Sequence, residues 1–299
     1  METWSTERTL EDGKILKTTY ELLDPLPPTP TFKTLYGTDF EPDEVADHVR
    51  DFPGSRYHRV FGGNNLPPLD RGKMQELPPE WVPHVSWNVW GPPETLWNWL
   101  DVVRRPIWLS FKHEPRKKIE QGRYSLEEWQ DENTAMIDVV RRHPNGALVQ
   151  RMGPIVTNWT ITNPAGGLEV DRFWLPFADS GLPQSRLFLG VDTYNDRTFY
   201  RTPDQLFRPG SDTAMDYDVA VAYPEWGGAR VESDLDGMGH AEWMAGCIDE
   251  ITNIADEADE SEAGNVAAIA WWSIGGCNLM QEKLVNSKDF WQTFLAVQA

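Results

Sequence analysis

The chain has 299 residues, 40% of them hydrophobic, which suffices for one sizeable core and exceeds a minimal domain. Its 47 acidic and 27 basic residues leave a net charge of −20, which argues against a nucleic-acid or anionic-membrane partner, since both need a basic surface. No apolar run approaches the roughly 18 residues of a membrane span, and the opening Met-Glu-Thr-Trp-Ser-Thr-Glu lacks the basic and apolar regions of a secretory signal.

Residues 1–30 read as a lead-in arm: one strand over 14–23 behind an Asp12-Gly13 turn, then a stiff polyproline-like spacer over 25–30. A strand–helix alternation follows over 31–299. Strands are expected at 34–40, 55–61, 84–90, 106–111, 147–152, 186–192, 218–225 and 265–272. Pro92-Pro93 suits the first turn of a helix from 94, Ser125-Leu-Glu-Glu128 is a capping box, and Thr202-Pro203 caps a short helix. A long helix is expected over 239–259, and Ser287 can cap a last one. The crossovers at 64–82 and 157–185 read as loop-like insertions. Eight strands so separated predict an α/β fold, a (β/α)8 TIM barrel with a short N-terminal extension.

Two phrases stand at strand ends: Lys112-His113-Glu114-Pro115 after the fourth and Tyr223-Pro224-Glu225-Trp226-Gly227 on the seventh. The C-terminal ends of barrel strands are where the loops and the chemistry converge. Two glutamates delivered there suggest the acid and nucleophile of a retaining glycosidase, whose carboxyl groups lie about 5–5.5 Å apart. Tyr194 or Arg151 is expected to hold the nucleophile ionised, and Asp192 to shape the cleft beside Tyr194, with Asp39 and Asn88 as weaker candidates. Among 15 tryptophans, Trp87, Trp90, Trp159, Trp226, Trp271 and Trp272 fall near strand ends, where aromatic faces could stack on sugar rings. Cys247 and Cys277 read as small buried apolar residues. No metal site and no cofactor is expected, because the 6 histidines form no ligand-spaced pair with either cysteine.

On these residues the chain resembles clan A glycoside hydrolases, most nearly family 26, the β-mannanase-type enzymes. The resemblance rests on His113-Glu114, on Glu225 followed closely by Gly227, and on Trp271 or Trp272 ending strand eight. It implies Glu114 as acid/base, Glu225 as nucleophile, His113 as a partner in the cleavage subsite, and a tryptophan beneath the sugar. Where the family continues with Met-Asn-Gly or a similar polar turn, this chain has Pro115-Arg-Lys, which is expected to alter the leaving-group side of the cleft.

The expected partner is a polysaccharide or oligosaccharide. The expected substrate contacts are His113, Tyr194, Trp226, Trp271, Trp272, Arg151, Asp192 and Trp90. The alternatives are a non-catalytic carbohydrate-binding barrel, such as a phage tail receptor-binding component, and a metal-dependent barrel hydrolase. Without a signal, a cytoplasmic or virion-associated location is expected. The N-terminal arm would suit attachment to a larger assembly, as in a phage tail depolymerase.

Overall fold

The computed structural model describes the chain apart from residues 1–2, 10–14, 22–33, 40–44, 63–73, 75–76, 88–91, 197, 236, 258–262, 273–278, 282–283 and 299, with backbone alone at 3–9, 15–21, 62 and 272. An antiparallel hairpin of β1 (Thr3–Thr9) and β2 (Ile15–Glu21), pairing Thr6 with Thr18, stands where one strand was expected. The Asp12-Gly13 turn and the proline spacer lie outside the described residues.

The second sheet is parallel throughout. In chain order it uses β3 (Leu35–Asp39), β4 (Tyr57–Gly62), β5 (Val82–Trp87), β6 (Ile107–Phe111), β7 (Val149–Met152), β8 (Ile155–Thr157), β9 (Phe188–Tyr194), β10 (Ala220–Gly227) and β11 (Val266–Trp272). Its spatial order is β7-β6-β5-β4-β3-β11-β10-β9-β8. β7 and β8 are two halves of one strand broken at Gly153-Pro154, where proline has no N–H for the ladder. The first half pairs with β6 and the second with β9. The sheet thus closes on itself as an α/β TIM-type barrel, with β6 as its fourth strand and β10 as its seventh.

The described helices are α1 (Val45–Asp51), α2 (Pro93–Leu100), α3 (Pro115–Glu120), α4 (Leu126–Arg142), α5 (Asn158–Thr162), α6 (Val170–Ala178), α7 (Pro203–Asp216), α8 (Met238–Glu257) and α9 (Val285–Gln298). α4 starts at the expected capping box, in which the Ser125 hydroxyl accepts from the Glu128 N–H at 3.0 Å. Three expectations need correction. The crossover at 157–185 is not loop-like: Pro176 and its glycines obscured α6, which forms because Phe173, Trp174 and Phe177 bury one face. α7 is a full 14-residue helix. Ser287 lies inside α9 rather than at its cap, fully buried and hydrogen-bonded to His240 Nδ1 at 2.7 Å.

Side-chain size divides the barrel interior. Tyr57, Trp108 and Phe188 crowd one side, Trp108 and Phe188 with ring centroids 5.2 Å apart, while Ala220, Ala222, Ala268 and Ala270 line the other. Large rings against small alanines fill the barrel without a pore, and each fully buried Phe or Leu contributes about 1.5–3 kcal/mol. At Gly37 a Cβ would lie 1.8 Å from the Tyr57 carbonyl oxygen, so only glycine lets β3 approach β4 this closely. Above this layer runs a polar chain from Tyr57 to His84, from His84 Nε2 to Ser110 Oγ (2.9 Å), and from Ser110 Oγ to the Gly153 carbonyl (2.7 Å). The serine hydrogen goes to that carbonyl, so His84 Nε2 donates and Nδ1 accepts from the tyrosine.

Candidate active site

Strand alternation decides which side chains reach the barrel mouth. On β4, Tyr57, Arg59 and Phe61 share the inner face, and on β9 so do Phe188, Gly190, Asp192 and Tyr194. Asp39 ends β3 and accepts from the Arg59 backbone N–H at 2.7 Å.

The two glutamates depend on broken alternation. On β10, Ala220 and Ala222 face inward and Tyr223 outward against α7, yet Trp226 packs outward as well. Register shifts against both neighbouring strands between Ala222 and Trp226 supply the extra residue, a bulge that turns Glu225 into the barrel. On β6, Trp108 and Ser110 point inward, and then Lys112 takes a left-handed conformation (φ 44°). Its ammonium pairs with Glu132 on α4, its carbonyl accepts from Trp129 Nε1 at 3.1 Å, and His113 turns inward to Ser86. Glu114 is left-handed too (φ 49°) and its N–H donates to the Ile155 carbonyl at 2.8 Å. Non-glycine residues hold this conformation at a cost of about 1–2 kcal/mol each, and such strain gathers where side-chain direction matters.

Arg59 organises the pocket. It is fully buried; its Nη1 donates to both Asp192 oxygens at 3.1 Å and to Glu225 Oε1, and its Nη2 to Ser86 Oγ at 3.3 Å. The Tyr194 hydroxyl donates to Glu225 Oε2. Each Glu225 oxygen therefore has its own donor. Burial raises the Glu225 pKa, Arg59 and Tyr194 pull it back, and the Asp39 and Glu114 charges add to the rise. Burial also raises Asp192 well above the carboxylate range, against the pull of Arg59 and with the charges of Glu225 and Glu114 adding to the rise. One guanidinium thus serves both buried carboxylates, Asp192 and Glu225.

Because Ser86 Oγ already accepts from Arg59, its hydrogen is available to His113 Nδ1 at 2.9 Å. Burial, aided by Arg59, Lys118 and His84, drives the His113 pKa well below its usual value. His113 is thus held neutral, with Nδ1 bonded to Ser86 Oγ. Glu114 is half-buried, and among the described residues no hydrogen-bond or ion-pair partner is found for its carboxylate. Its electrostatic neighbours are Glu225, Asp192 and Lys118, whose ammonium donates to the His113 carbonyl at 2.7 Å. Burial pushes Lys118 down to about 8 against the pull of Glu114.

Glu225, Tyr194, Asp192 and His113 are thus linked through Arg59 and Ser86, with Glu114 within electrostatic reach of Glu225 and Asp192. Arg151 does not join them: its Nη1 donates to the Leu187 carbonyl at 3.3 Å, at the entry to β9, and its guanidinium lies 5.6 Å from the Trp108 ring centroid. Trp226 and Trp271 are fully buried against each other, and Trp226 also meets Trp291, so neither leaves a face for a sugar. Trp90 lies outside the described residues, as does the Trp272 side chain, whose backbone pairs with Asp39. Arg59 and Ser86 were not anticipated. The signal was present in the alternation of Tyr57, Arg59 and Phe61, which puts an arginine on an otherwise aromatic inner face. Among the described residues no His, Cys, Asp or Glu cluster could hold a metal ion.

No protein-family model matches the chain, and no curated protein sequence does. Solved structures do. A family 128 endo-β-1,3-glucanase from Amycolatopsis mediterranei, in complex with laminaripentaose, superposes with a TM-score of 0.53 at 14% identity, covering 87% of this chain and 99% of its own. Fungal β-1,4-galactanases give 0.53 at 11%, with the same coverage. A family 26 β-mannanase from Bacteroides ovatus gives 0.51 at 13%, covering 89% and 88%. The neighbours are therefore barrel glycoside hydrolases of the kind the sequence resembles. At such identities the likeness is one of fold, and any activity must be argued from the site.

Proposed function

We propose that this chain is a retaining glycoside hydrolase acting on a polysaccharide, with Glu225 as nucleophile and Glu114 as acid/base. The asymmetry between the two carboxylates carries the assignment. Glu225 accepts from Arg59 on one oxygen and Tyr194 on the other, which favours the ionised form a nucleophile needs. Glu114 has no such donor among the described residues, and in the resemblance it is the residue that matches the acid/base. The fold shared with polysaccharide hydrolases supports the same reading.

In the first step Glu225 forms a bond to the anomeric carbon while the glycosidic C–O bond breaks and Glu114 gives its proton to the departing oxygen. In the second, water attacks that carbon, its proton passes to Glu114, and Glu225 leaves as carboxylate. His113, fixed by Ser86 through Nδ1, turns Nε2 toward a sugar hydroxyl, and Arg59 offsets the charge on Glu225 before the ester forms and after it breaks.

The test is release of reducing ends from laminarin, β-1,4-mannan and β-1,4-galactan by the wild type and by Glu225→Gln, with proton NMR of the first-formed anomer. Activity in the wild type alone, with retention, is the expected result. Equal turnover in both proteins, or the inverted anomer, overturns the assignment.

A further inference from the structure

We infer that Trp159 is the stacking platform for the sugar on the leaving-group side of the scissile bond; this rests on the hydrolase reading above. Among tryptophans whose side chains are described, Trp159 alone is exposed, at 62%. Trp87, Trp226 and Trp271, which also sit near strand ends, are sealed in the core. An exposed indole offers a broad apolar face with a polar N–H at its edge, a surface on which the C–H face of a sugar ring can stack.

The element carrying Trp159 is rigid. α5 follows β8 directly, and the Thr157 hydroxyl accepts from the Thr160 N–H at 3.3 Å. Buried Asn158 donates from Nδ2 to the Gln205 carbonyl at 3.0 Å and to Thr193 Oγ1 at 3.4 Å. These bonds dock α5 beside the start of α7, on the C-terminal rim of the barrel where the chemistry sits.

The element is also on the side of Glu114. Ile155, four residues before Trp159, accepts from the Glu114 N–H. Arg116, on the helix that Glu114 precedes, donates to the carbonyl of Asn163, just past the end of α5, at 2.6 Å. The acid stands beside the departing oxygen, so a platform on its flank meets the unit that leaves. The ligand class is a pyranose unit with an apolar C–H face, within a chain reaching beyond the cleaved bond.

The test separates this inference from the hydrolase reading. In a Glu225→Gln background, laminarin, β-1,4-mannan and β-1,4-galactan are run in affinity gels with Trp159→Ala and Trp159→Phe. Trp159→Ala is expected to weaken binding of a retained polymer by about tenfold, with Trp159→Phe restoring most of it. In the otherwise wild-type enzyme, Trp159→Ala should raise KM for that polymer and leave a 4-nitrophenyl glycoside, whose leaving group is too small to need the platform, within about twofold. Unchanged retardation, equal losses on polymer and aryl glycoside, or no binding of any polymer overturns the platform. Polymer binding lost in Trp159→Ala by a protein that hydrolyses nothing leaves Trp159 as a sugar-stacking residue and overturns its leaving-group assignment together with the hydrolase.

Discussion

Arg59 and Glu225 meet across the barrel interior, from β4 to β10, with the guanidinium Nη1 donating to Oε1. The same nitrogen serves Asp192, so a single buried cation faces two buried carboxylates. Removing it leaves both charges without compensation. Arg59→Met is therefore expected to destabilise the fold by about 3–5 kcal/mol, seen as a lower urea midpoint, and to abolish turnover. A variant with unchanged midpoint and near-wild-type activity would show that the guanidinium holds neither carboxylate.

Glu114 is assigned the proton transfer, so its loss should depend on the leaving group. Glu114→Ala should lower kcat on polysaccharide by about 10²–10⁴-fold and spare the first step for a dinitrophenyl glycoside, which leaves without protonation. Azide should then raise the turnover of that substrate and yield a glycosyl azide. Uniform loss on both substrates without azide rescue would remove Glu114 from this role.

Tyr194 donates to Glu225 and so favours its ionised form. Tyr194→Phe should raise the pKa of Glu225, moving the acid limb of the kcat/KM profile to higher pH. A rate loss with an unmoved acid limb would mean that the hydroxyl acts elsewhere.

Stability should fall in mild acid through His48, buried on α1 and stacked on Phe52 with ring centroids 5.3 Å apart. Burial, aided by the His58 charge, lowers its pKa to about 4. A folded pKa depressed below the unfolded value near 6.5 means that the unfolded chain binds the proton more readily. The contribution is present above pH 6.5 and is lost as pH falls toward 4, amounting to about 2–3 kcal/mol. Urea midpoints at pH 7, 5.5 and 4 should show this slope in wild type and a shallower one in His48→Gln; parallel slopes would exclude His48.

The eight barrel strands were legible because a buried parallel strand writes itself as a short apolar run. The places of Glu114 and Glu225 at strand ends were legible in the same way, whereas the roles proposed for them came from the family resemblance. Arg59 was missed because a charged residue inside a strand reads as an outward one until the inner face is known. Arg151 looked equivalent, yet strand five breaks at Gly153-Pro154 and leaves Arg151 on the earlier half, beside Trp108 and the entry to β9.

Local pattern alone determined the succession of strands, the capping box at Ser125 and the two phrases at Glu114 and Glu225. Only the tertiary structure decided which way those phrases point. A period of two places alternate residues on opposite faces, and a single extra residue reverses the assignment. The bulge before Trp226 and the left-handed turn at Lys112 each supply that reversal. They bring Glu225 to Arg59 and His113 to Ser86, and they bury Trp226, a tryptophan expected to meet the sugar. Both irregularities are held by distant parts of the chain, α4 in one case and the flanking strands in the other. The physical reason they escape a reading of the sequence is that no local residue preference specifies them.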